Sequence, residues 1–432
     1  MAAAQREDRL SGSGPTVDQR NAFQLDRDRV LYSGAFRRLA GVTQVISPTE
    51  GEVFHNRLTH TLKVAQIARR IAEMFAQRQP GEAAEWGGIE PEVVEAAALI
   101  HDLGHPPFGH IAEEELHALV KKHGGEGYEG NAQSFRIVSK LAFRGMRSKC
   151  GLDLTRATLN ASLKYPWLPR DGKYGCYTSE EASLTFARQL DRSGADKPCI
   201  EAQIMDWADD IAYSVHDTED FYRAGLIPLD RLAVNQKERE HFLARAQHRR
   251  GAERIDSEFI AIASEFFNSV NLRDPYDGSR AQRAALYDFT STTIRDFVLN
   301  TKLRKFPGDH EGFGLAIDLD FQRQVEVLKE LTWCYVINNP ASASVQHGQR
   351  LTVRTLFKIL MEAAKKKQWA IFPPLYRDEI RELANTHGTT PSAETSRLVA
   401  DTVAGLTDQQ ASRLYLRLIG VSQGALFDPI VT

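Results

Sequence analysis

The chain has 432 residues, a net charge of −3, 42% hydrophobic and 26% charged residues, enough apolar content for one large core or two ordinary ones. No apolar run reaches the roughly 20 residues that span a bilayer, the polar stretch Met1–Pro15 lacks the apolar segment of a secretory signal, and the mild acidity gives no global field for nucleic acid. Cys150, Cys176, Cys199 and Cys334 form no CxxC pair, which argues against a cysteine zinc site and for reduced thiols in a cytoplasmic chain.

Residues 1–25 are expected to be a flexible tail. Strand-like alternation is scarce: Thr43–Ile46 with a turn at Pro48–Gly51 is expected to form one small hairpin. After Arg57, Leu58, Leu62, Val64, Ile67, Ile71, Met74 and Phe75 recur mostly at three- and four-residue steps and predict an amphipathic helix. Gln79–Glu90 is expected to be a loop. Pro91 then opens a helix through Val94, Ala97, Ala98 and Ile100, which Gly104 and Pro106–Pro107 stop. Further helices are expected over His110–Lys122, from a cap at Asn131 through Leu141, over Ser179–Leu190, and over Cys199–Phe221. The remainder offers Glu258–Val270, Arg283–Leu299, Phe321–Val336, Val353–Ala364 and Thr407–Ile419. Loops fall near Gly172–Tyr177, Arg304–Gly314 and Asn385–Ser392. The fold expected is all-α, a single helical body with a C-terminal helical extension.

Six of the thirteen histidines (His55, His60, His101, His105, His110, His117) fall in one short stretch. Imidazole is a frequent metal ligand and the side chain best suited to proton transfer near neutral pH. His101-Asp102 closes the apolar helix Ala96–Ile100. At a helix end the chain turns, so two adjacent ligands can reach one ion, and nitrogen with carboxylate oxygen suits Mn, Fe, Ni, Zn or Mg. Upstream, His60 stands at the start of the first long helix, as a ligand or as a satisfied core histidine; His55 competes for the ligand role. Downstream, Asp206, Asp209 and Asp210 crowd two turns and repel one another unless a cation relieves them, unless they are simply a solvated face. Asp209, Tyr213 and Asp217 follow at four-residue steps and share a side of the helix. Glu113 lies one turn beyond His110, close enough to orient the imidazole or share its proton. Leu163–Trp167 places the Lys164 charge in an aromatic cluster. Lys365, Lys366 and Lys367 read as a solvated face.

The order His60 … His101-Asp102 … Asp209 resembles the metal-binding pattern of the HD superfamily. Arg27–Arg29, Ala35–Leu39, Thr43–Val45, His55–His60, His101–His110, Glu129–Gln133, Leu163–Trp167 and Asp209–Tyr213 together resemble the deoxyguanosine triphosphate triphosphohydrolase family, colinearly from about Arg27 to Asp220. The resemblance implies an HD-domain helical bundle at 26–225 and a helical region at 226–432 that packs on it and forms oligomer contacts. It implies hydrolysis of deoxynucleoside triphosphates (dGTP or several dNTPs) to deoxynucleoside and inorganic triphosphate. One divalent metal (Mg, Mn, Ni, Co, Fe or Zn) is implied on His60, His101, Asp102 and Asp209, with His110 and Glu113 as the catalytic pair. Arg57, His105, Asn131, Lys164, Tyr165 and Lys173 are implied phosphate contacts; Gln44 and Asp217 would meet the 3′-hydroxyl and Tyr213 the sugar. Arg280, Arg283 and Tyr287 are candidate phosphate or base contacts. The family also implies a homo-oligomer, a hexamer or tetramer, and nucleotide or single-stranded DNA effectors. Two alternatives stay open: another HD phosphohydrolase (a nucleotidase or phosphodiesterase) and a catalytically weak nucleotide sensor.

Overall fold

The structure, a computed structural model, describes residues 5–12, 18–44, 55–85, 88–145, 150–191, 193–194, 196–306, 312–337, 340–387 and 392–422. It is all-α apart from one two-stranded sheet. Asn21 accepts from the backbone of Phe23 and Gln24, and the Gln24 side chain answers back, so a capping box starts α1 (Ala22–Tyr32). Ser33 then caps the short α2 (Gly34–Arg38). The Asn56 side chain caps α3 (Arg57–Arg78). A short helix, α4 (Pro80–Glu85), falls inside the segment expected to be a loop. Pro91 opens α5 (Pro91–Ile100), and α6 (His110–Lys122) and α7 (Gly130–Arg136) follow. The cap of α7 is Glu129, not the expected Asn131: its carboxylate accepts from the Asn131 and Ala132 backbone.

Next come α8 (Arg156–Ala161), α9 (Glu181–Arg188) and the long α10 (Ile200–Arg223). Four more helices, α11 (Leu229–Val234), α12 (Gln236–Arg250), α13 (Ser257–Ser269) and α14 (Arg280–Leu299), lead to the sheet. Strands β1 (Thr301–Phe306) and β2 (Gly312–Ile317) pair antiparallel, Thr301 opposite Ile317. Of the expected loop at Arg304–Gly314, both ends are strand, and residues 307–311 lie outside the described residues. The hairpin expected at residues 43–51 lies mostly outside the described residues; what is described is a single antiparallel bridge between Thr43 and Asn56. The C-terminal part is α15 (Leu319–Thr332), α16 (Pro340–Lys365), α17 (Pro374–His387), α18 (Ala393–Ala404) and α19 (Asp408–Leu418).

Two apolar cores organise these helices. In the first, α5 is the central rod: Val93, Val94, Ala96, Ala97, Ala98, Leu99 and Ile100 are all buried, surrounded by α1, α3, α8 and α10. The stripe predicted for α3 faces it through Val64, Ile67, Ile71 and Phe75. Each such side chain contributes about 1.5–3 kcal/mol on burial. The second core does not respect a boundary at residue 225. Ala112, Leu116, Leu119 and Val120 of α6 pack with Val353, Phe357 and Leu360 of α16, Leu398 and Val403 of α18, and Leu414 of α19. The N-terminal segment also departs from a free tail: Arg9 is buried, and its guanidinium donates to Asp26 at 2.7 Å and to the Asp153 carbonyl.

The loop between α5 and α6 joins the two cores. Gly104 is where it passes under α7: an added Cβ would stand 2.1 Å from the Gly130 carbonyl oxygen. Phe108 and Gly109 both take positive φ, 66° and 63°, and for Phe108 that conformation costs about 1–3 kcal/mol. The Asp408 carboxylate at the start of α19 stabilises it by accepting from the Phe108 backbone at 2.8 Å and from the Thr43 backbone at 3.1 Å.

Candidate metal centre and active site

Three helices of the first core converge on one point. His60 comes from the first turn of α3, His101 from the end of α5 and Asp209 from the middle of α10, and one ligand atom of each lies within 4.8 Å of the others. His60 Nε2 is 3.1 Å and His101 Nε2 is 3.6 Å from Asp209 Oδ1. The Nδ1 of His101 sits 2.6 Å from the Ala98 carbonyl, which fixes the ring with Nε2 turned inward. That nitrogen is buried and has no hydrogen-bond partner. Burial pushes the His101 imidazole down, yet Asp102 and Asp209 outweigh it and lift it to about 9; the same attraction, against burial, holds Asp209 well below the usual carboxylate range. An orphaned buried nitrogen, a second imidazole and a carboxylate form a donor set that fits a divalent ion of borderline hardness.

Asp102 adjoins this triad and divides its contacts. Its Oδ2 lies 3.5 Å from His101 Nε2 but accepts from Arg57 Nη1 at 2.8 Å, and its Oδ1 faces His105 Nδ1 at 3.0 Å. On its far side stands a second group, His105, His110 and Glu113, whose ligand-type atoms also lie within 4.8 Å of one another. His110 Nδ1 is 2.9 Å from Glu113 Oε2, and Glu113 Oε1 accepts from the Gly130 backbone at 2.7 Å. Burial would raise Glu113, but the bond with His110, the neighbouring His105 and the Gly130 N–H reverse that and hold it at about 2. His110 itself is 70% exposed, at the mouth of the site. Burial and the Arg57 charge push the His105 imidazole down, and its ring lies edge-on to His110, 5.4 Å between centroids.

Cations and rings flank the two groups. Lys164 contacts Asp206 and lies 3.7 Å from Asp209 Oδ2. The Tyr165 ring packs 5.6 Å from Trp167, with the exposed Lys173 ammonium 6.0 Å from its centroid. Asn131 is engaged by Glu129, to which its Nδ2 donates at 2.8 Å. Along α10, Tyr213 is partly buried and Asp217 is buried. Asp217 Oδ2 and Gln44 Oε1 are both buried without a hydrogen-bond partner. Burial, with Asp220 and Asp209 nearby, pushes the Asp217 carboxyl well up. Beside it a cavity of about 410 Å³ is lined by Lys63, His216, Glu219, Arg223, Arg283 and Tyr287, among others.

His55 does not join the triad: its ring is held by Asp220 and by the Lys63 ammonium, 2.5 Å from Nε2. Sequence reasoning also missed the groups that hold the loop. Arg38 donates to the carbonyls of Leu103 at 2.8 Å, His105 at 2.7 Å and Leu406 at 3.0 Å. Arg38 lies inside the matched segment Ala35–Leu39, so a signal existed; Asp408, one acid at the start of a helix, carries none.

Residues 57–214 match the HD domain and residues 315–417 a phosphohydrolase-associated domain. A deoxyguanosinetriphosphate triphosphohydrolase-like protein of Streptomyces coelicolor is 36% identical, covering 93% of each chain. Proteins of the same description from Corynebacterium efficiens and Bifidobacterium longum are 35% and 32% identical, covering 94% and 95% of this chain and 93% and 85% of theirs. The chain belongs to this family. It is a phosphohydrolase of the HD type. The HD match takes in both histidine groups, and the associated domain covers most of α15–α19, of which α15 packs in the first core and α16–α19 in the second. Among the described residues no helix is long and apolar enough to cross a membrane.

Proposed function

We propose that the protein hydrolyses deoxynucleoside triphosphates to deoxynucleoside and inorganic triphosphate. The observation that carries this reading is the meeting of a cation-holding triad and a His–Glu pair across one carboxylate, Asp102, with Arg57 and Lys164 beside it. His60, His101 and Asp209, with Asp102 as fourth ligand once Arg57 turns to phosphate, would hold one divalent metal. Bound there, such an ion supplies Lewis acidity and a water of lowered pKa. Arg57, Lys164 and Lys173 neutralise the triphosphate and orient the α-phosphorus, with Asn131 and Tyr165 as further contacts. Water oxygen forms the new bond to the α-phosphorus, the bond from phosphorus to the 5′ oxygen breaks, and His110 gives that oxygen its proton and takes back the one the water releases. Glu113, anionic down to about pH 2, keeps the imidazole aimed and its charge balanced.

The sugar end of the site favours a deoxyribose. Asp217 and Gln44 each present a buried oxygen that lacks a donor, which a 3′-hydroxyl would supply. Tyr213 lies one turn before Asp217 on α10, where its ring against the 2′ carbon leaves no room for an oxygen. The base then enters the cavity lined by Arg283 and Tyr287. Tyr213→Ala is expected to admit ribonucleoside triphosphates. Asp217→Ala is expected to weaken substrates with a 3′-hydroxyl by about 1–3 kcal/mol and to leave 3′-deoxy analogues much less affected.

The deciding experiment incubates the protein with each of the four deoxynucleoside triphosphates over a metal panel and separates the products. Intact triphosphate with deoxynucleoside is the expected outcome. Pyrophosphate or orthophosphate release, or equal use of ribonucleotides, would favour another phosphohydrolase; no turnover would favour a nucleotide sensor.

A further inference from the structure

The three acids near the middle of α10 face different sets of basic groups, with Lys164 shared by two of them, 3.7 Å from Asp209 Oδ2. Asp209 faces His60 and His101, Asp210 faces Lys329 of α15, and Asp206 faces Lys164. The Lys164–Asp206 pair is asymmetric. Lys164 is 22% exposed and Asp206 is 43% exposed. The acid can therefore be rehydrated cheaply, whereas the ammonium, beside Tyr165 and close to Asp209, must keep an anionic partner. Among the described residues Asp206 makes no other ion pair.

We propose that Asp206 is a built-in stand-in for the anionic tail of the substrate: it holds the Lys164 ammonium aimed at the site in the free protein and is displaced from it by phosphate oxygens. This rests on the preceding reading in one respect, that Lys164 meets phosphate. Asp206 acts through Lys164, as a positioning residue. It preorganises the ammonium, and by competing for it weakens the binding of every polyphosphate. A half-exposed ion pair is worth up to about 1 kcal/mol, so the competition amounts to roughly a threefold to fivefold loss of affinity. Salt screens exposed charges, and the effect shrinks as ionic strength rises.

The test is calorimetric titration of the full-length, metal-loaded protein with inorganic tripolyphosphate, metal kept in excess, on wild type, Asp206→Asn, Asp206→Glu, Lys164→Ala and the double variant Asp206→Asn/Lys164→Ala. Asp206→Asn is expected to bind about threefold to fivefold tighter at low salt, and Asp206→Glu to return to the wild-type value. The double variant is expected to bind no tighter than Lys164→Ala alone. With a nucleotide substrate the change should appear in KM rather than kcat. Weaker binding by Asp206→Asn, equal tightening without Lys164, or no binding by wild type and Asp206→Asn alike would overturn the proposal. Failure of the preceding reading shows separately, as a wild type that binds tripolyphosphate yet releases none from any deoxynucleoside triphosphate.

Discussion

The two cores hold the two halves of the site in different ways. The half proposed to hold the metal hangs on α3, α5 and α10, whose apolar faces form the first core, and His60 and His101 are buried with it. The half proposed to move a proton starts α6, whose apolar side belongs to the second core, and His110 reaches into solvent. A cation site needs several groups fixed at once, which a rod such as α5 locked on all sides provides. A proton donor needs access to the leaving group, which an exposed first turn provides. The halves register through the 103–108 loop, tied by Arg38 and Asp408, and through α7, whose Gly130 N–H holds Glu113 and whose Ser134 hydroxyl donates to the His101 carbonyl at 2.9 Å. Joining metal and acid is thus a task of backbone groups and of the C-terminal helices.

If the halves are separable in this sense, damage to one should leave the other measurable. The largest effect is expected from the first core. Asp209→Ala or His101→Ala should abolish turnover together with metal content, read by elemental analysis, whereas Asp206→Asn and Asp210→Asn keep the metal. A metal found in the Asp209→Ala protein would break the comparison at its base. Next comes the proton half. His110→Ala should lower kcat about 10²–10⁴-fold, the usual share of a general acid, with metal content unchanged and a thermal midpoint lowered only by loss of the bond to Glu113. Loss of metal on removing His110 would mean that its group, His105, His110 and Glu113, is coupled to the ion.

The sequence made the first core legible and, of the second, several helices but not their packing. Periodicity placed α3, α5 and α10 to within a few residues, because their apolar stripes repeat over long spans and Asn56 and Pro91 mark two of the starts. The triad followed, since His60, His101 and Asp209 lie on those rods. A short helix such as α4 carries too few turns to show a period, and α7, though expected, is capped by Glu129 where Asn131 looked the better cap. The hairpin at β1–β2 went unread because its two strands are six residues each and their glycines and Pro307 suggested a loop. That α6 packs with α16, α18 and α19 is a long-range fact with no local signature. The division of Asp102 between Arg57, His105 and the triad is likewise invisible without coordinates.

A smaller effect should come from the tie between the cores. Arg136 of α7 and Asp401 of α18 form a buried pair, Nη2 to Oδ2 at 2.8 Å, to which Gln133 adds a bond at 2.8 Å. Asp401→Ala removes the main anionic partner of a buried guanidinium, at a cost on the order of 3 kcal/mol. Denaturant unfolding should show that loss with metal content intact. A drop in metal content as large as the drop in stability would mean the cores are one cooperative unit.

The smallest effect expected is also the one most dependent on pH, and it comes from Glu113. Its carboxylate is held at about 2, against an ordinary value near 4.5, because burial is outweighed by His110, His105 and the Gly130 N–H. A carboxyl group with a depressed folded pKa stabilises the protein above the unfolded value, and that stabilisation is lost as pH falls toward the folded one. Glu113 should therefore contribute on the order of 2–3 kcal/mol at pH 7, declining below about pH 4.5 and gone near pH 2. Glu113→Gln keeps the shape and removes the charge. Its urea midpoint should lie below that of wild type at pH 7, with a gap that narrows as pH falls below about 4.5 toward 2. An equal gap at every pH would assign the loss to packing, and no gap at pH 7 would mean that the ionic bonds of Glu113 to α6 and α7 stabilise nothing. Because those bonds join His110 to Gly130, the same variant should lower kcat while leaving bound metal in place, which keeps the effect within the second core's half of the site.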